Sequence, residues 1–186
     1  MGYTLFDQSL AWQRYHVAVS HVGRNSRVCD IGCGLEASFL RRARNRIAWG
    51  VGLDYQLNPQ RCLGLPVVFA NIGNPLPLKS ARFDHVIMLA VLEHLSQPDA
   101  VMRELFRILA PGGSLIMTWP SAAVDPLLHF LHRIGVVSHE MESDDHQPRI
   151  EVPDMQARLR QIGFTRFHHR TFQFGLNNLM VAHKPQ

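Results

Sequence analysis

The chain predicts an α/β fold, a doubly wound and mostly parallel sheet closed by an antiparallel strand pair at its C-terminal end. Three observations carry this. Five short apolar runs alternate with stretches of helical or turn pattern between residues 27 and 120. The first run, Val28-Cys29-Asp30-Ile31, breaks into Gly32-Cys33-Gly34 and then into Leu35-Glu36-Ala37-Ser38-Phe39-Leu40-Arg41-Arg42-Ala43, which is a strand, a glycine turn and a helix in succession. Two last runs, 164–174 and 179–183, flank Gly175-Leu176-Asn177-Asn178 in the manner of a hairpin. Five strands and two make seven.

Taken in order, residues 5–21 hold Leu5, Leu10, Trp12, Tyr15, Val17 and Val19 with polar residues between, an N-terminal helix with one apolar face. Gly23-Arg24-Asn25-Ser26 breaks it. Residues 27–31 form the first strand, and the helix after Gly34 is expected to run to about Arg44. Residues 47–53 form the second strand, ending at Asp54. Pro59, Gly64 and Pro66 keep any helix after it short. Residues 66–70 read as the third strand, 71–77 as loop and 83–89 as the fourth strand. Ser96-Gln97-Pro98-Asp99 opens a helix, with the serine as its expected cap and the proline in its first turn. Val101, Leu105, Ile108 and Leu109 line its apolar side. Ala110-Pro111-Gly112-Gly113 stops it, and 114–119 is the fifth strand. Beyond Pro120 the pattern changes. Residues 124–134 read as a helix, 135–152 as a polar irregular segment, and 153–162 as a helix stopped by Gly163.

Composition narrows the class. The 186 residues are 46% hydrophobic and 18% charged, ordinary for a globular chain able to bury a core without staples. Three cysteines with no zinc-type spacing fit a reduced, cytoplasmic setting. Neither a secretory leader nor a membrane span is expected. The net charge of +4 owes much to Arg41, Arg42, Arg44 and Arg46. Their pattern suits a solvated helix face or a docking patch for an anion. With no aromatic interleaved, a nucleic-acid platform has little support.

Two nucleotide readings compete at the glycine corner. Gly32-Cys33-Gly34-Leu35-Glu36-Ala37 satisfies the dinucleotide pattern G-x-G-x-x-G/A, and Asp54 stands where a ribose-binding carboxylate belongs. Asp30, two residues before the first glycine, works against a pyrophosphate, which wants positive potential there. A cationic ligand would welcome it. S-adenosylmethionine carries a sulfonium and an ammonium group and no phosphate, so Asp30 tips the choice toward that cofactor. A turn-forming Asp30 bonded to local backbone is the plainer alternative.

Four segments, in order, resemble a class I S-adenosylmethionine-dependent methyltransferase of the methyltransferase type 11 group. They are 28–34; Gly52-Leu53-Asp54; Phe83-Asp84-His85-Val86-Ile87 with Leu92-Glu93-His94-Leu95; and Arg107-Ile108-Leu109-Ala110-Pro111-Gly112-Gly113. The resemblance implies a Rossmann-like sheet and one methyltransferase domain over 1–186. Its parts would be an N-terminal helix (1–24), a cofactor-binding core (27–120), a substrate cap (121–162) and closing strands (163–186). It implies that Asp30, with Gly32, Cys33 and Gly34, faces the methionine portion, and that Asp54 takes the ribose hydroxyls. Tyr55 would lie against the adenine, Asn71 and Ile72 would read its edge, and Leu89 and Ala90 would line the reacting face. S-adenosylhomocysteine would be the product and a small molecule, glycan- or lipid-related, the acceptor. The closing pattern over 172–179 resembles methyltransferases that occur with cell-surface glycan and lipid synthesis. A monomer or weak dimer is expected.

A base is needed only where the acceptor loses a proton; His94 and His146 are the candidates, with His139 behind them. His94 equally suits a structural role in its loop, and the acidic segment around His146 equally suits a solvated loop. His129, His132, His139, His168 and His169 have no metal-ligand spacing, so no metal is expected. Trp119 suits core packing or a place beside the acceptor. Two departures from the family pattern stand out. Glu36 occupies the place of a third glycine, and Asn71 that of an acidic residue. They motivate a catalytically impaired binding module as an alternative, and the dinucleotide pattern motivates a nicotinamide-dependent oxidoreductase as a more distant one.

Overall fold

The computed structural model describes residues 5–73, 75–122 and 150–186, with side chains from Ser9 onward. Its element order is α1 (Leu5–Val19), β1 (Arg27–Ile31), α2 (Ser38–Ala43), β2 (Trp49–Asp54), β3 (Val67–Phe69), β4 (Phe83–Leu89), a 3-10 turn (Leu92–His94), α3 (Pro98–Ile108), β5 (Leu109–Pro120), α4 (Val152–Ile162), β6 (Thr165–Phe172) and β7 (Asn177–His183). The seven strands form one sheet in the order β3-β2-β1-β4-β5-β7-β6. The first five are parallel, and β7 runs antiparallel between β5 and β6.

Strand alternation sorts the core into two layers. Val28, Ile87, Ile116, Leu179 and Val181 point to one face, where Tyr15 and Ala18 of α1 and Phe39 and Leu40 of α2 cover them. Cys29, Ile31, Val86, Met88, Leu115 and Met117 point to the other, under Val101, Met102 and Leu105 of α3 and Met155 and Leu159 of α4. Trp119 belongs to this second layer, fully packed, with its indole N–H donating to the Ile150 carbonyl at 3.0 Å. It is a core residue. The chain departs from β1 toward β2 and β3 on one side and returns through β4 and β5 on the other. The switch point therefore lies between the carboxyl ends of β1 and β4, where open α/β sheets take their ligands.

Several expected boundaries move. The helix after the glycine corner is only Ser38–Ala43, because Gly34 through Ala37 are spent on a turn that ends in left-handed Ala37 (φ 46°). Ser96 does not cap α3; Gln97 holds the N-cap position without a side-chain bond, and Pro98 opens the helix. The chain passes from α3 into β5 at Leu109, with Gly112 in a left-handed conformation on the way. Asn177 and Asn178, expected in the hairpin loop, are the first residues of β7. The expected helix at 124–134 lies outside the described residues, as do His129, His132, His139, His146 and most of the expected cap.

Candidate functional site

The glycine corner is built by backbone bonds to the neighbouring strand. After β1, the N–H groups of Gly32 and Cys33 both donate to the Leu53 carbonyl, at 2.8 and 3.1 Å. Gly32 and Gly34 take φ of 72° and 71°, the left-handed region that glycine enters without penalty. A Cβ on Gly32 would collide with Val91, which lies over it, whereas a Cβ on Gly34 would meet nothing within 4 Å. The corner is thus closed over Gly32 and open above Gly34. Cys33 points down into the core, against Gly52; a Cβ there would come within 2.6 Å of its sulfur. Burial pushes the Cys33 thiol far up, with the charges of Asp30 and Asp54 adding to the effect. Its side chain therefore packs, and the contribution left to a ligand is its backbone.

Asp54 ends β2 and ties the corner together. Its two carboxylate oxygens accept from the N–H groups of Gly34 and Gln56, each at 2.8 Å. A carboxylate has about four acceptor positions, so one on each oxygen is left for a vicinal diol. Asp30 is in the opposite condition. It is buried at the switch point, on the sheet face covered by α1 and α2, and its Oδ2 has no hydrogen-bond partner among the described residues. Burial, and secondarily the charge of Asp54, raise its pKa well above the ordinary carboxyl value. A buried carboxyl oxygen without a donor is costly, and a cation placed against it would offset that cost. The two aspartates and the open cradle above Gly34 fit S-adenosylmethionine. They offer the corner no cation for a pyrophosphate.

The remaining expected residues surround this centre unevenly. Tyr55 follows Asp54 and is exposed. The Asn71 side-chain oxygen accepts from the Gly73 N–H at 3.0 Å, which leaves it a second acceptor position. Ile72 turns into the core beneath the loop. Leu89 is half-buried at the end of β4, and left-handed Ala90 (φ 55°) donates its N–H to the Thr118 carbonyl at 3.0 Å. That turn swings Val91 over Gly32 and carries His94, with its side chain exposed, on the 3-10 turn beside the carboxyl end of β4. The structure brings Asp30, Gly34, Asp54 and Tyr55 to one corner and sets Leu89, Ala90 and His94 along its β4 rim.

Glu36 does not enter the cradle. It pairs with Arg41 at 3.2 Å and with Arg61, fastening the loop after β2 to α2. The left-handed position that follows the second glycine is taken by Ala37, one residue later. Residues the sequence reading left out also lie on this side of the sheet. Arg14 has a buried Nε without an acceptor, and Thr118 a fully buried hydroxyl without a partner, among the described residues. A charged residue inside the apolar stripe of α1 was the available signal for Arg14; Thr118 looked like any β-branched strand residue. The described residues contain no group of side chains able to hold a metal, and no helix among them is long and apolar enough to cross a membrane.

Comparison with known proteins shows the family and the fold. A family model described as "Methyltransferase domain" matches residues 9–169. A ubiquinone/menaquinone biosynthesis C-methyltransferase from Stenotrophomonas maltophilia is 27% identical, over 94% of this chain and 79% of that protein. Among solved structures, the methyltransferase in complex with the Trm112 methyltransferase activator of Haloferax volcanii superposes with a TM-score of 0.75. It is 18% identical, over 96% of this chain and 92% of its own. The [4+2]-cyclase SpnF superposes at 0.68 with 17% identity, over 96% and 82%. The last is a reminder that this fold carries more than one chemistry, and that function has to be argued from the site.

Proposed function

The chain belongs to the methyltransferase-domain family and is an S-adenosylmethionine-dependent methyltransferase; from that premise we propose that it methylates a small-molecule acceptor delivered to the β4 rim. The observation that carries this is the buried Asp30 carboxyl, whose Oδ2 has no partner among the described residues, beside an open glycine cradle and an Asp54 with acceptor positions to spare. The cofactor supplies the activated methyl carbon, so the protein's task is alignment and exclusion of water. Alignment of this kind is worth roughly 7–11 kcal/mol in favourable cases.

In this reading Asp30 faces the cationic amino-acid end, with the backbone of Gly32, Cys33 and Gly34 beneath it. Asp54 takes the ribose diol. Tyr55 lies along the adenine, and Asn71 and the backbone at Ile72 read its edge. Leu89 and Ala90 border the reacting face. His94 stands where an acceptor hydroxyl or ring carbon would release its proton, and His146, outside the described residues, is the second candidate for that role. A lipid-related aromatic ring is the first acceptor class to test, because the Stenotrophomonas relative is named for quinone C-methylation. The ion pairs of Glu36 remove the main motive for a binding module without catalysis.

The test has two parts. S-adenosylhomocysteine should raise the melting temperature, and a nicotinamide dinucleotide should not. Labelled methyl should then pass from the cofactor to a demethylated quinone-type acceptor. The Asp54→Ala variant should lose the thermal shift, with affinity down about 100-fold for the loss of two charge-assisted bonds. An unchanged shift in that variant would refute the site, and no label transfer to any small acceptor would refute the substrate class.

A further inference from the structure

The cofactor's amino-acid end is a zwitterion, and the glycine corner supplies a group for only one of its charges. Asp30 answers the ammonium. No residue assigned so far answers the carboxylate.

The covering helix α1 carries a group of the right sign. Arg14 lies one turn from Ala18, which is fully buried against the sheet, and next to Tyr15, which packs on Phe39 of α2 at a ring distance of 6.5 Å. An arginine on the packed stripe of a helix is out of place unless its guanidinium meets an acceptor. Here its Nε is buried and has none among the described residues. The Tyr15 phenol lies within electrostatic reach of both Arg14 and Asp30. Next to that tyrosine the helix holds a cationic nitrogen, and the sheet face it covers holds a carboxyl oxygen, neither with a hydrogen-bond partner among the described residues. The helix that carries Arg14 is held by the closing hairpin, where the Gln173 side-chain amide donates to the Leu10 carbonyl at 2.8 Å.

We propose that α1 completes the cofactor site: Arg14 takes the α-carboxylate while Asp30 faces the ammonium, with Tyr15 beside the pair. This rests on the methyl-transfer reading above and extends it to a helix outside the glycine corner. Arginine suits the role because its planar fork grips a carboxylate through two parallel N–H donors.

Calorimetry with two ligands tests it. S-adenosylhomocysteine carries both charges; its decarboxylated analogue keeps the ammonium and lacks only the carboxylate. The wild type should bind the first at least tenfold more tightly. Arg14→Met, close in length and apolar, should weaken S-adenosylhomocysteine 10- to 100-fold and change the decarboxylated analogue less than threefold, which erases the preference. Arg14→Lys should retain part of it. A variant that weakens both ligands equally, or neither, overturns the proposal, since a merely structural role for Arg14 cannot distinguish ligands that differ by one carboxylate. Failure of the wild type to bind either ligand would instead overturn the cofactor reading, and the clamp with it.

Discussion

The least comfortable residue in the molecule is Asp30. Its folded-state pKa lies above the ordinary 3.8 because burial, and then the charge of Asp54, disfavour ionisation. Between 3.8 and that raised value the folded protein binds more protons than the unfolded chain, so Asp30 weakens the fold as pH rises through this window. At neutral pH it is a net liability without its ligand. Replacing it with Asn removes the charge and keeps the shape. Asp30→Asn is therefore expected to raise the melting temperature of the ligand-free protein and to weaken S-adenosylhomocysteine by tenfold or more. Scanning calorimetry and ligand titration on the same preparation check both halves. A variant that is less stable than the wild type, or that binds equally well, would place the role of Asp30 in packing. Stability given up at a site for the sake of a ligand is a familiar compromise.

At the scale of elements, one side chain fastens α3 to the loop before β4. Arg107 pairs with Glu104 at 2.8 Å and donates to the Leu78 carbonyl at 2.9 Å, the Leu76 carbonyl at 3.2 Å and the Ser80 hydroxyl at 3.1 Å. Glu104 in turn accepts from the Leu76 N–H at 2.8 Å. Truncating Arg107 to Ala strands those backbone carbonyls. It should cost roughly 2–4 kcal/mol in urea unfolding, against about 0–1 for an ordinary surface ion pair. The ion pair is local, three residues apart on α3, but its bonds to the loop were not legible in the sequence, because those partners are some thirty residues away. What was legible had local causes. The strand at 83–89 and the helix stopped by Gly163 were readable from an apolar run and from a residue suited to left-handed φ, which Gly163 takes at 118°. The helix after Gly34 was overestimated because propensity takes no account of a turn that tertiary bonds from Asp54 and Leu53 stabilise. The candidate site was half readable. Asp30 and Gly34 sit in one contiguous motif, and Asp54 at the end of the next strand completes its chemical logic, whereas Arg14 and Thr118 gain meaning only once α1 and β5 are laid against that pattern.

Across the whole molecule the titrating groups divide by side of neutrality. His85 joins the loop after α1 to β4 and β5. Its Nε2 accepts from the Gly23 N–H at 2.9 Å, so the ring proton sits on Nδ1 and is donated to the Ser114 hydroxyl at 2.8 Å. Protonation would destroy the first of these bonds. The pKa of His85 is held below the ordinary 6.5, chiefly by burial, with Asp84 pulling the other way and His183 and Arg46 reinforcing it. His21 and His183 are lowered as well, again mainly by burial. For such groups the unfolded chain binds more protons than the fold. Their stabilisation is complete above 6.5 and is lost as pH falls from there through the lowered values. On the alkaline side Cys29, Cys33 and Cys62 are raised above 9.0 and Tyr15 above 10.0, all primarily by burial. These groups stay protonated in the fold while the unfolded chain ionises, so stability declines above about pH 9. Unfolding free energy should accordingly form a plateau between about pH 7 and 9 with a fall on each side. Asp30 opposes the acid limb, since its own contribution grows as pH drops, so the histidine slope stands out best in the Asp30→Asn background. Urea titrations at one-unit intervals from pH 5 to 10 measure the curve. An acid limb unchanged by His85→Gln in that background would remove His85 from its cause, because a glutamine supplies an acceptor for Gly23 and a donor for Ser114 but cannot titrate.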